Sequence, residues 1–205
     1  MEPPNPEHPW WNNPWFSGLD AVALYSYLSE YKPALYIEIG SGNSTKFARQ
    51  AIRDHQLSTR LVSIDPFPRA AIDRISDEVI RQPLEAIDLS IFDRLKSGDI
   101  IILDSSHRSF MNSDVTVFFL EVMPRLPSGI LIHIHDIHLP FDYPPERALQ
   151  WESDQYLVAA MLIGGMLNYE VVLPVPYVLQ DSAASLGTMP AFFPRTGTSL
   201  WMRKM

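Results

Sequence analysis

The chain has no cysteine, which removes disulfides, thiolate metal sites and a cysteine nucleophile together. It also lacks a basic surplus: 16 Lys and Arg stand against 24 Asp and Glu, a net charge of −8. Nucleic-acid binding relies on basic patches that displace counterions, so that class is set aside. The apolar run at 156–167 ends at Asn168 and Glu170, short of the roughly 20 residues that span a bilayer. The opening MEPPNPEHPWW has neither a basic n-region nor an apolar h-region, so a cytoplasmic protein is expected. Internal repeats and low-complexity tracts are missing too. At 205 residues, one domain with one sizeable core is expected over 1–205.

Proline, by contrast, is abundant, with 18 residues gathered mainly at 3–14, 139–145 and 174–194. Between these clusters strand-like and helix-like segments alternate. Helices are expected at 18–31, 41–55, 68–79, 89–98, 113–123 and 152–167, where apolar residues recur at helical spacing. Strands are expected at 34–40, 60–66, 99–107, 130–135, 169–174 and 197–204, with a weak one at 79–84. The alternation implies an α/β, doubly wound, mostly parallel sheet. The last two strands have no helix between them, so the final one is expected to run antiparallel. The proline-rich stretches 139–150 and 175–195, with an N-terminal arm and helix at 1–33, read as covering segments. They carry Trp10, Trp11, Trp15, Phe16, Tyr143, Tyr177, Phe192 and Phe193, which suit a flat or sugar-like ligand or an arm packed on the sheet or on a second copy in a homo-oligomer.

Polar residues interrupt the strands only at their carboxyl ends, where ligands bind in such sheets. "EIGSGNST" (38–45) is a tight strand-to-helix turn. It lacks the lysine spacing of a phosphate loop and has Thr45 where a dinucleotide site has a third glycine. A nucleoside site, in which Glu38 repels no phosphate, and a plain turn that needs glycine both remain. Asp65 closes the second strand 25 residues beyond Gly40, the place of an acid that binds ribose hydroxyls. "LDSSH" closes the fourth strand with Asp104 and His107. "ILIHIHDIHLP" (130–140) puts three histidines and an aspartate into six residues of an aliphatic run, where unpaired polar groups are costly. His133 reads as a hydrogen-bonded core histidine, His138 as either loop or site, and His8 and His55 as surface residues.

These motifs resemble the class I S-adenosylmethionine-dependent methyltransferases: E-x-G-x-G-x-S-T after the first strand, the acid of "SIDP", "LDSSH", "HDI", and a terminal "GTSLWMRK" similar to the antiparallel seventh strand of that Rossmann-like sheet. The resemblance runs from about residue 34 to the C-terminus and is nearest to small metal-assisted O-methyltransferases of the catechol, macrocin and mycinamicin type. It implies S-adenosylmethionine as cofactor, with Glu38, Gly40, Ser41, Gly42 and Asn43 at the methionine moiety, Asp65 at the ribose and the 82–85 turn at the adenine. Asp104 would border the same site. It further implies O-methylation of a small-molecule hydroxyl, with His107 as base beside Asp104 and a divalent cation on Asp104, His135 and Asp136. His135 stands where those relatives have a carboxylate. Imidazole in the set suits zinc, iron or manganese better than magnesium. His107, with an ordinary pKa near 6.5, would take the hydroxyl proton. The alternatives are a metal-dependent hydrolase, since H-x-H-D-x-H is one place off the H-x-H-x-D-H of metallo-β-lactamase-type enzymes, a metal-dependent hydroxylase, and a non-catalytic nucleoside-binding module.

Overall fold

The computed structural model describes residues 5–16, 18–165, 168–181 and 194–205. Leu19–Tyr31 (α1) buries Ala21, Leu24 and Leu28 and ends where Lys32 turns left-handed ahead of Pro33. Five strands follow, with helical segments in every connection except that from β2 to β3: β1 (Leu35–Ile39), β2 (Arg60–Ile64), β3 (Glu78–Ile80), β4 (Ile100–Leu103) and β5 (Leu131–Ile134). Asn43–Asp54 (α2) joins β1 to β2 with Phe47, Ala48, Ala51 and Ile52 inward. Asp114–Val117 (α3) is capped by Ser113, widens into a π-helical turn at Phe118–Val122 and closes as Met123–Arg125 (α4). The widened turn lies just before Pro124, whose ring clashes with the carbonyl one turn back in a regular helix. Asp154–Ile163 (α5), β6 (Tyr169–Pro174), Val175–Asp181 (α6) and β7 (Leu200–Lys204) complete the chain.

The seven strands lie in the order β3-β2-β1-β4-β5-β7-β6. All pairs up to β5 are parallel, and β7 runs antiparallel to both neighbours. The doubly wound sheet and the reversed last strand expected from sequence are both present. Two expectations fail. The stretch 68–79 forms turns rather than a helix: Asp65 captures the Phe67 N–H, and Ile72 and Ile75 are buried, with the Ile75 carbonyl held by Arg49. The helix expected at 89–98 is a 3₁₀ segment, Leu89–Arg94, capped by Asp88. Among the described residues no helix is long and apolar enough to cross a membrane.

Side chains alternate across the sheet. Ile37, Ile39, Ile101, Leu103, Ile132 and Ile134 form one core with Phe118, Phe119, Val122 and Val158. The other face carries Tyr36, Leu61, Ile100, Ile102, Leu131 and Trp201 under α1 and α2. On this second face the register aligns Ser63, Glu38, Ile102, His133 and Trp201 in one cross-strand row. His133 stacks on Trp201 at 4.6 Å and 18°. Neither of its ring nitrogens has a hydrogen-bond partner among the described residues. It is a core histidine as expected, but held by ring contact. Burial drives its pKa down to about 3, so it is neutral.

Glu38 is fully buried beneath the glycine turn. Thr45 and Ser63 donate to one carboxylate oxygen, Tyr36 and Ser44 to the other, and Thr45 also accepts the Gly42 N–H at 3.0 Å. The expectation that Glu38 meets a ligand is corrected: it anchors the turn from below. Burial pushes its pKa up to about 7, against the lowering effect of the four hydroxyls.

The arm at 5–16 belongs to the core. Asn13 donates to the Trp10 and Phe16 carbonyls and accepts the Trp15 and Phe16 N–H groups. Phe16, 1% exposed, stacks on His135 at 5.1 Å. Phe16→Ala is expected to lower unfolding stability by about 3–5 kcal/mol in urea titration; a loss under about 1 kcal/mol would mean that the arm is only laid on the surface. A second expectation concerns Glu38. Between 4.5 and about 7 the folded chain retains a proton that the unfolded chain has released, so this group's contribution to stability falls by roughly 3 kcal/mol as pH rises through that window. Thermal melts should show Glu38→Gln gaining on the wild type from about pH 5 to pH 8. A difference that stays constant with pH would show Glu38 ionised in the fold.

Candidate active site

β2, β1, β4 and β5 end together. Ile64, Ile39, Leu103 and Ile134 are aligned partners, and the next residue on each strand is Asp65, Gly40, Asp104 and His135. The backbone ladder continues through this row: Asp65 N–H to Ile80 O, Gly40 N–H to Ile64 O, Asp104 N–H to Ile39 O and His135 N–H to Leu103 O, at 2.8–3.0 Å. Gly40 has φ +81°, and a Cβ there would lie 1.6 Å from the Asp104 carbonyl oxygen. The crossing of the turn over the end of β4 therefore requires glycine.

A cleft of about 1420 Å³ opens above this row. Gly40, Ser41, Gly42, Asn43, Asp65, Asp104, His107, His135 and Asp136 all line it, as do Pro83, Leu84 and Glu85 of the 82–85 turn. Of the expected site residues Glu38 and Gln82 are outside. Asn13, Trp15 and Phe16 of the arm and Arg147 and Gln150 of the 139–150 segment form further walls. None of 175–181 does, with Tyr177 exposed on α6. The covering role expected for 182–193, with Phe192 and Phe193, lies outside the described residues. Asp65 accepts the Ser41 N–H at 2.7 Å and its hydroxyl at 3.1 Å, fixing the turn from the side. A Cβ on Gly42 meets nothing within 4 Å, so a ligand can approach the backbone there. These residues fit a nucleoside bearing a methionine chain.

The acceptor side is a network of acids and imidazoles. His107 Nδ1 lies 2.9 Å from Asp154 Oδ2, and its Nε2 is 3.5 Å from Asp104 and 3.7 Å from Asp136. His135 Nδ1 is 3.6 Å from both Asp104 and Asp136, and its Nε2 is 3.4 Å from Asp20. The four side chains expected to meet at the ends of β4 and β5 do meet. Burial alone would favour the neutral imidazole of His107, but the bonds to Asp104 and Asp154 outweigh it and hold the pKa well above 6.5. The expectation of an ordinary value is corrected. For His135 the charges of Asp104 and Asp136 likewise overcome burial and raise it to about 9. Despite burial, Asp104 and Asp136 are both lowered, chiefly by His135.

The metal expectation is not met by this geometry. Arg147 grips Asp136 bidentately, Nη1 to Oδ2 at 2.7 Å and Nη2 to Oδ1 at 2.9 Å, and Thr198 donates to Oδ1 at 2.9 Å. Among the described residues no group of three or more His, Asp or Glu side chains is arranged to hold a metal ion. Asp104, His135 and Asp136 therefore do not fit a divalent cation as they stand, since a guanidinium takes the third donor.

Asp154, Arg147, Asp20 and Thr198 were not foreseen. Asp154 and Asp20 carry only the signal of an acid in a first helical turn. Asp20 accepts the Thr198 and Ser199 N–H groups, tying α1 to the start of β7. Beyond Arg147 lies a second cleft of about 580 Å³ walled by Phe110, Tyr143, Trp151 and Tyr156; Arg108, Phe110, Arg147 and Glu152 line both.

Residues 37–137 match a methyltransferase domain family. An uncharacterized protein of Archaeoglobus fulgidus is 31% identical over 109 residues, 48% of this chain and 49% of its own, so the chain aligns with about half the length of that relative. A Podospora anserina methyltransferase, PaMTH1, in its SAH-bound form superposes with a TM-score of 0.55 at 16% identity, covering 91% of this chain and 78% of that one. A Geobacter sulfurreducens methyltransferase gives 0.52 at 14%, covering 94% and 81%. The plantazolicin methyltransferase BpumL in complex with SAH gives 0.51 at 15%, covering 89% and 82%. These identities speak for the fold, and the domain match speaks for the turn and strand ends within it. The chain thus carries a match to a methyltransferase domain across its strand-end row, in a sheet whose fold follows that of methyltransferases nearly end to end.

Proposed function

We propose that the protein transfers the methyl group of S-adenosylmethionine to a hydroxyl oxygen of a small-molecule acceptor, a sugar or natural product. The carrying observation is the placement of His107. Its Nδ1 is fixed by buried Asp154 at 2.9 Å, and its Nε2 is aimed between Asp104 and Asp136 at the cleft. S-adenosylmethionine, when bound, supplies an electrophilic methyl group on a sulfonium. The chain's part is position and proton. The glycine turn and Asp65 hold the nucleoside end, and Asp104 lies between that end and His107. Neutral His107 keeps its Nδ1–H on Asp154 and takes the hydroxyl proton at Nε2. The oxygen then bonds to the methyl carbon while the C–S electron pair returns to sulfur, and the proton passes from His107 to solvent. In-line positioning supplies several kcal/mol of the barrier. The side cleft, aromatic-walled and adjoining the main one across shared wall residues, suits the rest of the acceptor. No step runs through a metal.

In calorimetry, Asp65→Ala should weaken S-adenosylmethionine binding by roughly tenfold or more. Binding of NAD with no response to S-adenosylmethionine would sink the reading. His107→Gln should cut turnover by about a hundredfold while leaving that affinity within a few-fold; full activity would remove His107 from the chemistry. The groups facing His107 (Asp104, Asp136 with its partner Arg147, and Asp154) raise its pKa, so the neutral imidazole is scarce at pH 7. Turnover should climb about tenfold per pH unit until that raised value is passed. Asp154→Asn removes one raising charge and should move the rise to lower pH. A profile flat from neutral pH upward would exclude His107 as the base.

A further inference from the structure

The third donor of the strand-end acid cluster is already taken, and by a cation. Arg147 stands on the 3₁₀ turn Pro145–Arg147, 11 residues past Asp136, and reaches back over the cleft to it. Its Nη1 also bonds Glu152 at 2.6 Å, a side chain 6% exposed. Thr198, two residues before β7, completes the shell of Asp136. Asp136 has φ +54°, an uncommon conformation for a non-glycine residue that is held only when the surroundings fix it. The guanidinium fork matches a carboxylate geometrically and carries positive charge to the place where the sequence resemblance implies a metal ion.

We propose that Arg147 is the built-in cation of this active site, filling against Asp136 the position of a divalent metal and positioning that carboxylate beside His107. The inference rests on the methyltransferase reading for its purpose, but not for its geometry. Because Arg147 is delivered by the 139–150 segment, its pairing also pins that segment across the cleft. The arginine then supplies the site's cation, and its removal would free the Asp136 carboxylate, 3.6 Å from His135, which is itself 3.6 Å from Asp104, to shift and take up a divalent ion with them.

Manganese titration of the full chain, read by the electron paramagnetic resonance of free Mn²⁺, tests this without any turnover. The wild type and Arg147→Lys should leave the free signal unchanged at millimolar Mn²⁺. Arg147→Ala, or Arg147→Met if the alanine variant does not fold by circular dichroism, should bind one equivalent at least roughly tenfold more tightly than the wild type. Adding Asp136→Asn should abolish that uptake. Wild-type binding as tight as the variant's and lost in Asp136→Asn would overturn the proposal, as would a folded Arg147 variant that takes up no more Mn²⁺ than the wild type. Failure to bind S-adenosylmethionine would count against the methyltransferase reading alone and leave the manganese result standing.

Discussion

The site depends on four parallel strands ending in register. If β4 slipped by one residue against β1, Asp104 would cross to the opposite face and the Gly40 turn would meet a different carbonyl. The ladder prevents this because its last rung is made by the site residues themselves: Gly40, Asp104 and His135 each donate a backbone N–H to the neighbouring strand. Their side chains therefore emerge at one level and on one side. Gly40 is fixed twice over, by its left-handed backbone and by the Asp104 carbonyl under it. The cofactor side and the acceptor side of the cleft are thus set by the same hydrogen-bond row.

Charge balance around that row explains why so many buried and half-buried ionisable groups are tolerated. Asp20, Asp104, Asp136, Asp154 and Glu152 would be costly alone. His107, His135 and Arg147 lie among them, and each imidazole sits between carboxylates of different elements. The histidines are raised and Asp104 and Asp136 lowered by the same contacts, so the network is a mutual neutralisation and no member can be removed singly without leaving a partner unpaired. His107, like Asp136, adopts a positive φ, +61°. Such strain at paired functional residues is held by the bonds around it, here the Ser153 and Asp154 N–H groups on the His107 carbonyl.

What was legible in the sequence was local. The β1 turn, Asp65 and the acids ending β4 and β5 announce themselves by strand pattern and turn residues, and the register does the rest. What escaped was tertiary. Arg147 lies in a proline-rich segment with no periodicity, and its pairing with Asp136 depends on how that segment folds back. Asp154 looks like any acid at a helix start until α5 docks against His107. Glu38 was read by resemblance as a ligand contact because nothing local says that four hydroxyls surround it. The helix expected at 68–79 failed for a related reason: Pro66 and Pro68 and the Asp65 turn compete with it, and α2 claims the Ile75 carbonyl through Arg49.

Of the three histidines in 130–140, His133 lies within β5, His135 one position past its end, and His138 in the segment that follows. Positions 131, 133 and 135 share one face, and along that face the rows of β2, β1, β4 and β5 grow more polar toward the site. On these four strands the first row, Leu61, Tyr36, Ile100 and Leu131, is apolar apart from a hydroxyl, with Arg203 of β7 beyond it; the second, Ser63, Glu38, Ile102 and His133, with Trp201 beyond it, is buried and mixed; the third, Asp65, Gly40, Asp104 and His135, meets the cleft. His133 is hence a spacer between core and site, neutral and stacked, whereas His135 two residues on is charged and sandwiched between Phe16 and the acids. Regular alternation would send Asp136 to the α3 face, beside Ile132 and Ile134. Its left-handed φ turns it back instead, and the two contacts that hold it there, Arg147 and Thr198, come from segments on either side. A six-residue pattern that resembles a metal-binding motif is therefore three separate structural roles, and only His135 and Asp136 reach the cleft.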